Sequence, residues 1–288
     1  MPCTVPESPD STGFTLIELS IVLVIIGLIV GGVLVGRDLI HAAEIRAQIS
    51  QIEKYNTAVN TFRNKYGYLP GDIPPTTASQ FGFFTRTGAL GDGDGDAYVS
   101  GLPKAGVPGS TYYMLGGETV LFWTDMSAAG VIEGSFNDAT DTWVSTNTDS
   151  GYAAEMPRAT IGNGNFVYVN GYYYASTGNL ARGNGFQLIK PAHIGPPSVA
   201  GQIGLYPGLT PLDAYNIDQK IDDALPTSGT VVAMYPDKTM PTSSNPGNEI
   251  LAAFPSSLCV LGPPVTYNIG ATGVSTVANC SLRFNASW

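Results

Sequence analysis

The hydrophobic pattern opens with one long apolar run near the N-terminus. Residues 14–36 are apolar except for Thr15, Glu18 and Ser20. A helix of that length rises about 35 Å, enough to cross the roughly 30 Å hydrocarbon core of a bilayer. The run is longer than the apolar part of a secretory signal peptide and lacks a clear small-x-small cleavage site. It therefore predicts a membrane-spanning helix.

A second pattern follows the apolar run and has the period of an amphipathic helix. Large apolar side chains recur at spacings of three and four residues: Ile45, Ile49, Ile52, Tyr55, Val59, Phe62 and Tyr66. Polar residues, among them Gln48, fill most of the other faces. The stripe needs an apolar surface to cover it, most simply the sheet of the same chain, with a free coiled coil as the alternative. Gly67 and the prolines after it predict that the helix ends at residue 66.

Beyond residue 66 the pattern changes to short strands separated by Gly- and Pro-rich loops. Aromatic and β-branched runs flank Asn170-Gly171, which predicts a hairpin with its turn at that pair. Residues 185–189 and 230–235 predict further strands. Strands of this kind, packed on the helical stripe, predict an α+β fold: a long N-terminal helix against an antiparallel sheet with long loops.

Two short helices are predicted among these strands. Residues 117–130 hold bulky side chains in their first half and end in a glycine suited to a cap. In residues 210–229, Thr210 is the expected N-cap, followed by proline at the first helical position and Asp213 at the third. Pro226 is expected to stop this second helix.

Composition and charge limit the kinds of molecule that the chain is expected to bind. Charged residues make up 12% of the chain, 35 residues are glycine and 21 are proline, and the net charge is −10. Residues 67–288 contain 8 Lys/Arg and 17 Asp/Glu, without a basic cluster. Nucleic acid needs a basic surface to displace its counterions, so no nucleic-acid partner is expected.

The three cysteines predict one disulfide. Cys259 and Cys280 lie 21 positions apart, while Cys3 stands alone near the N-terminus. A Cys259–Cys280 bond would fit an oxidising compartment, provided that this part of the chain is exported. Two buried thiols are the alternative. The spacing of cysteine and histidine does not suggest zinc.

The stretch GDGDGDAYVSG (91–101) suggests a calcium site. Asp92, Asp94 and Asp96 alternate with glycine, and hard carboxylate oxygens suit Ca²⁺. The loop is not an EF-hand, because Pro103 stands at the twelfth position, and a Gly-Asp turn with solvated acids is the alternative. No other cofactor is indicated. Motifs of serine hydrolases, zinc proteases and phosphate-binding loops are missing, so the chain is not expected to be an enzyme.

Glu18 has no basic residue near it in the apolar run, although a carboxylate is costly in hydrocarbon. A cut after Gly13 would give Phe14 an α-amine about one helical turn from a carboxylate of its own or a neighbouring helix. The segment GFTLIELSIVLVIIGLIVGG closely resembles the processing site and membrane helix of type IV pilins and type II secretion pseudopilins. Gly13 matches the residue before the cut, Phe14 the N-methylated first residue, and Glu18 the family's acid.

The resemblance implies an order of segments. Residues 1–13 would be the leader, 14–36 the transmembrane and filament-core helix, 37–66 its amphipathic continuation, and 67–288 a globular head. Implied partners are a prepilin peptidase, other pilin or pseudopilin subunits and an inner-membrane assembly platform. The expected location is the bacterial inner membrane, crossed once, with the head in the periplasm or on a surface filament. The leader departs from the family's pattern because it holds no Lys or Arg.

Segments of the head, such as LFWTDMSAAGVIEG and AYNIDQKIDD, also resemble large-headed pilin-like proteins. With a head of this size, the resemblance implies a minor subunit. The alternative is a monomeric module that uses the same anchor and binds a glycan or another surface ligand. A filament subunit should crosslink to other subunits through residues 14–36, whereas an anchored monomer should not.

Overall fold

The computed structural model describes residues 15–88, 91–101, 116–136, 149–174, 180–193, 203–234, 259–262, 264–270 and 278–288. The helices in these ranges are α1 (Leu16–Tyr66), α2 (Pro75–Gln80), α3 (Glu118–Ala128), α4 (Asp149–Glu155) and α5 (Pro211–Ile221). The strands are β1 (Phe166–Tyr174), β2 (Leu180–His193), β3 (Ile203–Tyr206), β4 (Val231–Met234), β5 (Val260–Leu261), β6 (Thr266–Tyr267) and β7 (Ser281–Asn285). The chain divides into two compact units, Met1–Glu44 and Ile45–Trp288, and α1 belongs to both.

The predicted apolar stripe of α1 is confirmed in the second unit. Ile45, Ile52, Val59 and Phe62 are buried, and Ile49, Tyr55 and Tyr66 are half-buried against the same core. The ring of Tyr55 lies 5.0 Å from that of Trp123 in α3 and 5.9 Å from that of Phe186 in β2. The head therefore covers the stripe. Gly67 ends the helix as predicted, with a φ of +80° that glycine adopts without strain.

Gln48 is an exception to the predicted polar faces of α1, because its side chain is fully buried. Its Oε1 accepts hydrogen bonds from the Ile161 backbone N–H at 3.1 Å and from the Thr160 hydroxyl at 3.3 Å. One turn later, Gln51 Nε2 donates to the Arg158 carbonyl at 2.8 Å. Gln48 was predicted to lie outside the apolar stripe with the other polar residues, and it is buried because its side chain satisfies loop backbone that the sequence alone does not place.

An antiparallel sheet forms the second layer and confirms the α+β fold. Its strand order is β1-β2-β7-β4, and β3 pairs with the far end of β2. The expected strand at 185–189 lies within β2, and β4 lies within the expected strand at 230–235. The long N-terminal helix therefore does pack on an antiparallel sheet of the same chain.

The predicted hairpin turn at Asn170-Gly171 is wrong. Strand β1 runs straight through this pair and pairs with β2 on both sides of it, with a bulge between Asn170 and Tyr172. The Gly171 N–H donates to the Val99 carbonyl at 2.6 Å. A Cβ at position 171 would lie 2.7 Å from the Val99 backbone nitrogen. Glycine is therefore needed for close approach of another backbone, which is its second common use in strands.

Helices α3 and α5 confirm the two predicted helical segments, with one difference in length. The capping box of α5 is present: the Thr210 hydroxyl accepts from the Asp213 N–H at 3.1 Å, and Asp213 accepts from the Thr210 N–H. Helix α5 ends at Ile221, well before Pro226. The Asp218 carboxylate accepts from the Ala224 N–H, so a side chain draws the backbone out of the helix before the proline is reached.

The predicted disulfide between Cys259 and Cys280 is confirmed. Both cysteines are fully buried, and their Cα atoms lie 5.1 Å apart. The bond joins the start of the β5–β6 hairpin to the residue before β7. Tyr267 on the same hairpin donates to the Asp218 carboxylate at 2.7 Å. The hairpin is thus attached both to the main sheet and to α5.

Candidate functional site

The first half of α1 exposes its apolar side chains. Among the described residues from Leu16 to Glu44, none is buried. Leu23 and Leu28 are 69% and 72% exposed. Burial of such a side chain contributes roughly 1.5–3 kcal/mol, so this surface is stabilised by apolar surroundings. By length and composition α1 can cross a membrane, which is consistent with a membrane anchor.

Glu18 lies in the first turn of α1 and forms a reciprocal capping box with Thr15. One Glu18 carboxylate oxygen accepts from the Thr15 backbone N–H and from its hydroxyl, each at 2.8 Å. The Glu18 backbone N–H donates to the Thr15 hydroxyl oxygen at 3.3 Å. The expectation of a cationic partner for Glu18 does not include this contact, because Thr15 is uncharged. The Thr-x-x-Glu spacing does predict it. The acid therefore has a local role in starting the helix.

The other two residues of the predicted processing site, Gly13 and Phe14, lie outside the described residues. Cleavage between them and methylation of Phe14 stay predictions, as does the assembly role of Glu18. The described part of the site begins at Thr15, which would be the second residue of a chain cut after Gly13.

The Gly-Asp stretch forms a loop around two buried carboxylates that other segments supply. The first is Asp72, in the loop after α1. Its Oδ1 accepts from the Gly95 N–H at 2.7 Å, and its Oδ2 accepts from the Ala97 N–H at 2.8 Å. Asp72 thus uses both oxygens to hold the second half of the loop.

The second buried carboxylate is Glu118, the first residue of α3. One of its oxygens accepts from the Gly93 N–H at 2.8 Å, and the other accepts from the Ser100 N–H at 2.8 Å. Gly93 has a φ of +77°, and a Cβ there would lie 2.5 Å from the Ile73 carbonyl oxygen. The glycines of the repeat thus let the backbone turn its N–H groups toward these two acids.

The structure changes the candidate ligand set for calcium. Carboxylate oxygens of Asp72, Asp94 and Asp96 all lie within 4.8 Å of one another. Asp92 is buried, and its Oδ2 accepts instead from the Thr87 backbone N–H at 2.7 Å and the Thr87 hydroxyl at 2.6 Å. The geometric cluster therefore contains Asp72 and two of the three predicted acids.

The electrostatics of this loop favour either protonation of its carboxylates or the binding of a cation. Burial raises the pKa of Asp72 to about 7, and the nearby charges of Asp96 and Asp94 act in the same direction. Burial raises the pKa of Glu118 to about 9, with the charge of Asp72 as the next cause. Three or more carboxylate oxygens at one place suit Ca²⁺ chemically. Calcium binding stays a prediction, with Asp72 added to Asp94 and Asp96.

A buried ion pair supports the base of the loop. The Arg86 guanidinium binds both oxygens of Asp125, at 2.9 Å and 2.7 Å, and both side chains are fully buried. The Gly71 N–H donates to Asp125 at 2.7 Å, and Arg86 donates to the Gly71 carbonyl at 3.1 Å. The pair thus fixes the backbone beside Asp72 to α3.

A second acidic group, which the sequence analysis missed, lies at the end of α5. Carboxylate oxygens of Asp218, Asp222 and Asp223 also lie within 4.8 Å of one another. Asp218 is already the acceptor for Tyr267. The signal that predicts their proximity was the four-residue spacing between Asp218, in the last turn of α5, and Asp222, the residue directly after the helix.

Comparison with known protein families matches the N-terminal part of the chain. The prokaryotic N-terminal methylation motif matches residues 9–34. None of the curated proteins and none of the solved structures matches the chain. The motif is that of pilin-type structural proteins, and it covers the start of the exposed apolar half of α1. A chain with this motif and this helix fits a type IV pilin or pseudopilin, whose precursors are processed by a prepilin peptidase and assemble with other pilin subunits.

Proposed function

We propose that this chain is a structural subunit of a type IV pilus-like filament or a type II secretion pseudopilus. It is made as a precursor, cut after Gly13, methylated at Phe14 and assembled through residues 14–36. The observation that carries this proposal is the methylation motif over residues 9–34, on a helix whose apolar side chains are exposed. Lipid covers such a helix before assembly, and the helices of neighbouring subunits cover it afterwards.

Glu18 would change partners during this sequence. In the structure its carboxylate binds Thr15. Cleavage would create a cationic amine at Phe14, and the amine of a neighbouring subunit would neutralise Glu18 inside the filament. A charged carboxylate costs up to about 2.5–3.5 kcal/mol inside a membrane helix, so pairing of Glu18 in one axial register is favoured over others.

The large head favours a minor, tip or priming subunit over the most abundant one. Residues 67–288 form a head of about 220 residues, whereas major subunits of the resembling family are usually shorter. The subunit would cross the inner membrane once, meet an assembly platform there, and place its head in the periplasm or on the filament surface. The disulfide supports exposure of the head to an oxidising compartment.

The test is the intact mass and N-terminal sequence of the membrane-extracted protein, expressed with and without a prepilin peptidase. We expect the loss of residues 1–13 and a methylated Phe14 only with the peptidase. An uncut Met1 in both samples would contradict the proposal. A photo-crosslinker at Leu23 or Leu28 then separates a filament subunit, which crosslinks to other subunits, from an anchored monomeric binding module, which does not.

A further inference from the structure

The head contains three Asn-Gly pairs, at Asn163, Asn170 and Asn184, and all of them lie in described parts of the chain. In such a pair the glycine backbone nitrogen can attack the carbonyl carbon of the asparagine side chain, because glycine has no side chain that shields this nitrogen. The attack requires a nitrogen that is not held in a hydrogen bond. It also requires a side-chain amide that is able to turn toward the nitrogen.

The fold prevents the second movement at Asn184, in strand β2. This side chain is buried, and its Oδ1 accepts from the Val99 N–H at 3.0 Å. Its Nδ2 donates to the carbonyl oxygens of Ala97 at 2.9 Å and of Trp288 at 3.3 Å. These hydrogen bonds hold the amide in place, so it reaches the Gly185 nitrogen only when the sheet opens locally.

At Asn170, in strand β1, the fold holds the attacking group instead. The N–H of Gly171, which would supply the nitrogen, donates to the Val99 carbonyl at 2.6 Å. Asn170 is itself only 2% exposed. Val99 thus protects both of the pairs that lie within the sheet.

Asn163 lies in an exposed turn rather than in a strand. The Asn165 N–H donates to the Gly162 carbonyl at 3.0 Å, and the φ angles of Asn163 and Gly164 are +57° and +73°. Positive φ at both central residues is typical of a type I′ turn, in which Asn-Gly is a preferred pair. Residues 162–164 are exposed. Within the described part of the chain, no group accepts from the Gly164 N–H or bonds the Asn163 side chain.

We propose that Asn163 is a site of spontaneous deamidation. The Gly164 nitrogen attacks the Asn163 side-chain carbonyl carbon, and the bond from that carbon to the amide nitrogen breaks. The proton of the Gly164 N–H leaves with this nitrogen as ammonia, and a succinimide ring closes. Water then opens the ring at either carbonyl, which gives aspartate or isoaspartate at position 163. Both products carry a negative charge where the asparagine was neutral.

The turn lies beside the contact between its loop and α1, so the isoaspartate product should affect that contact. The Ile161 N–H donates to Gln48 Oε1 at 3.1 Å, and Asn165 Nδ2 donates to the Gly208 carbonyl at 2.9 Å. Isoaspartate directs the main chain through the former side chain, which lengthens the turn by one carbon atom. The hydrogen bond from Asn165 to Gly162 then no longer fits, and the attachment of the turn to α1 should loosen.

The experiment incubates the full-length, detergent-extracted chain at mildly alkaline pH, either folded or in urea, and then digests it with chymotrypsin. The three pairs fall on different peptides, and tandem mass spectrometry measures the conversion of each asparagine. In the folded chain we expect Asn163 to convert at least about tenfold faster than Asn170 and Asn184, because those two require local opening of the sheet. In urea the three rates should be similar. A sample digested without incubation measures the background.

The comparison of folded and unfolded chains decides the result. Equal rates for the three asparagines in the folded chain would overturn the inference. So would an Asn163 that folding slows as strongly as the other two. Asn163→Gln is the matched variant, and it should remove the fast reaction while the rates at Asn170 and Asn184 stay unchanged.

A second measurement tests the effect on the turn. An isoaspartate-specific methyltransferase distinguishes the two products, which have the same mass. Amide hydrogen exchange in residues 160–165 should be faster in the chain that carries isoaspartate than in Asn163→Asp, which reproduces the other product. Equal exchange in the two chains would overturn the loosening of the turn.

The inference goes beyond the proposed function and does not depend on it. The reaction needs water alone, and neither cleavage after Gly13 nor a second subunit takes part. The intact mass of the same sample reports cleavage separately. An uncut chain that converts at Asn163 would contradict only the proposed processing, and a cut chain without this conversion would contradict only the deamidation.

Discussion

The two halves of α1 are stabilised in different ways. From Leu16 to Glu44 none of the side chains is buried and the residues up to 36 are mostly apolar, whereas from Ile45 to Tyr66 the apolar stripe is buried or half-buried under the head. The second half has the helical period of an amphipathic segment, whereas residues 16–36 of the first half have apolar side chains on all faces, with Glu18 and Ser20 as exceptions. One continuous helix thus lies in two environments: its first half is exposed, and its second half is covered by the head.

The difference indicates which changes should affect folding and which should affect assembly. Side chains of the second half contribute to the free energy of unfolding of the head. Side chains of the first half contribute to the transfer of the helix into lipid or among other helices. Paired substitutions, one in each half, can therefore test whether the two halves act independently.

The largest effect on folding is expected for Phe62→Ala, at a fully buried position in the second half. Loss of a core phenylalanine costs about 3–5 kcal/mol, which lowers the Tm of the head by roughly 10 °C. Leu28→Ala, in the first half, is the matched control and should leave that Tm unchanged. Thermal unfolding of the detergent-extracted chains, followed by near-ultraviolet circular dichroism, measures both. Equal shifts for the two variants would show that the halves are not independent.

The largest effect on assembly is expected for Glu18. Glu18→Ala removes the charge and the capping box, and Glu18→Gln removes the charge but keeps a side chain that can cap. If pairing with a neighbouring amine sets the register, both should assemble about 100-fold less, because that amine is left unpaired in the apolar filament core at a cost of up to about 2.5–3.5 kcal/mol. Filaments recovered from cells measure the effect, with the Tm of the head as the control for folding.

The two Glu18 variants also separate the two roles of this acid. Normal assembly of Glu18→Gln with poor assembly of Glu18→Ala would mean that the capping box, and not the charge, is what assembly needs. Normal assembly of both would exclude Glu18 from the register.

The next largest effect is expected for removal of the disulfide. Replacing Cys259 and Cys280 by alanine should lower the free energy of unfolding of the head by about 2–3 kcal/mol, because the bond restricts the unfolded chain. Cleavage after Gly13 should not change, since it depends on the first half of α1. Urea unfolding and intact mass measure the two outcomes. Impaired cleavage in this variant would show that the head influences processing.

The sequence predicted the parts of the fold that depend on local periodicity and capping. The stripe of α1, the Thr210 capping box and the strand at 230–235 are of this kind, and the structure confirms them. Such features are decided within about four residues, so neighbouring side chains are enough to predict them.

The wrong or incomplete predictions depend on residues that are distant in sequence. Asn170-Gly171 is an ordinary turn pair by itself, yet Val99, about 70 positions away, makes it part of a strand. Asp72 joins Asp94 and Asp96 only because the loop folds back onto the segment after α1. The capping box of Glu18 differs, because its two residues are only three positions apart. The Thr15–Glu18 spacing predicts it, but only a cationic partner was expected for Glu18.

The smallest predicted effect concerns the acidic loop and depends on pH. The pKa values of Asp72 and Glu118 in the folded head are raised to about 7 and about 9, from ordinary values of 3.8 and 4.5. Below their ordinary values both groups contribute their full stability, and this contribution is lost as the pH rises through the raised values. The charge of Asp72 is itself a cause of the Glu118 shift, so the two contributions do not add.

The head should therefore be less stable at pH 8 than at pH 6. The expected loss is about 1–2 kcal/mol, or roughly 4 °C in Tm. Asp94→Asn with Asp96→Asn removes two of the charges that raise the Asp72 pKa, while the amide oxygens can still accept from the Asp96 and Tyr98 N–H groups. In this double variant the Tm should change less with pH. An unchanged pH dependence would mean that these two acids do not act on Asp72.

Calcium should compensate the excess negative charge of the same loop. A divalent cation held by Asp72, Asp94 and Asp96 would supply the missing positive charge, so Ca²⁺ should restore the Tm at pH 8 and do little at pH 6. At a concentration 100-fold above its dissociation constant it would contribute about 2.7 kcal/mol. The Asp94→Asn, Asp96→Asn variant should lose the response, and Asp222→Asn with Asp223→Asn should keep it. A response lost only in the second pair would move the cation to the end of α5. An absent response in the unaltered chain would exclude calcium from the Gly-Asp loop.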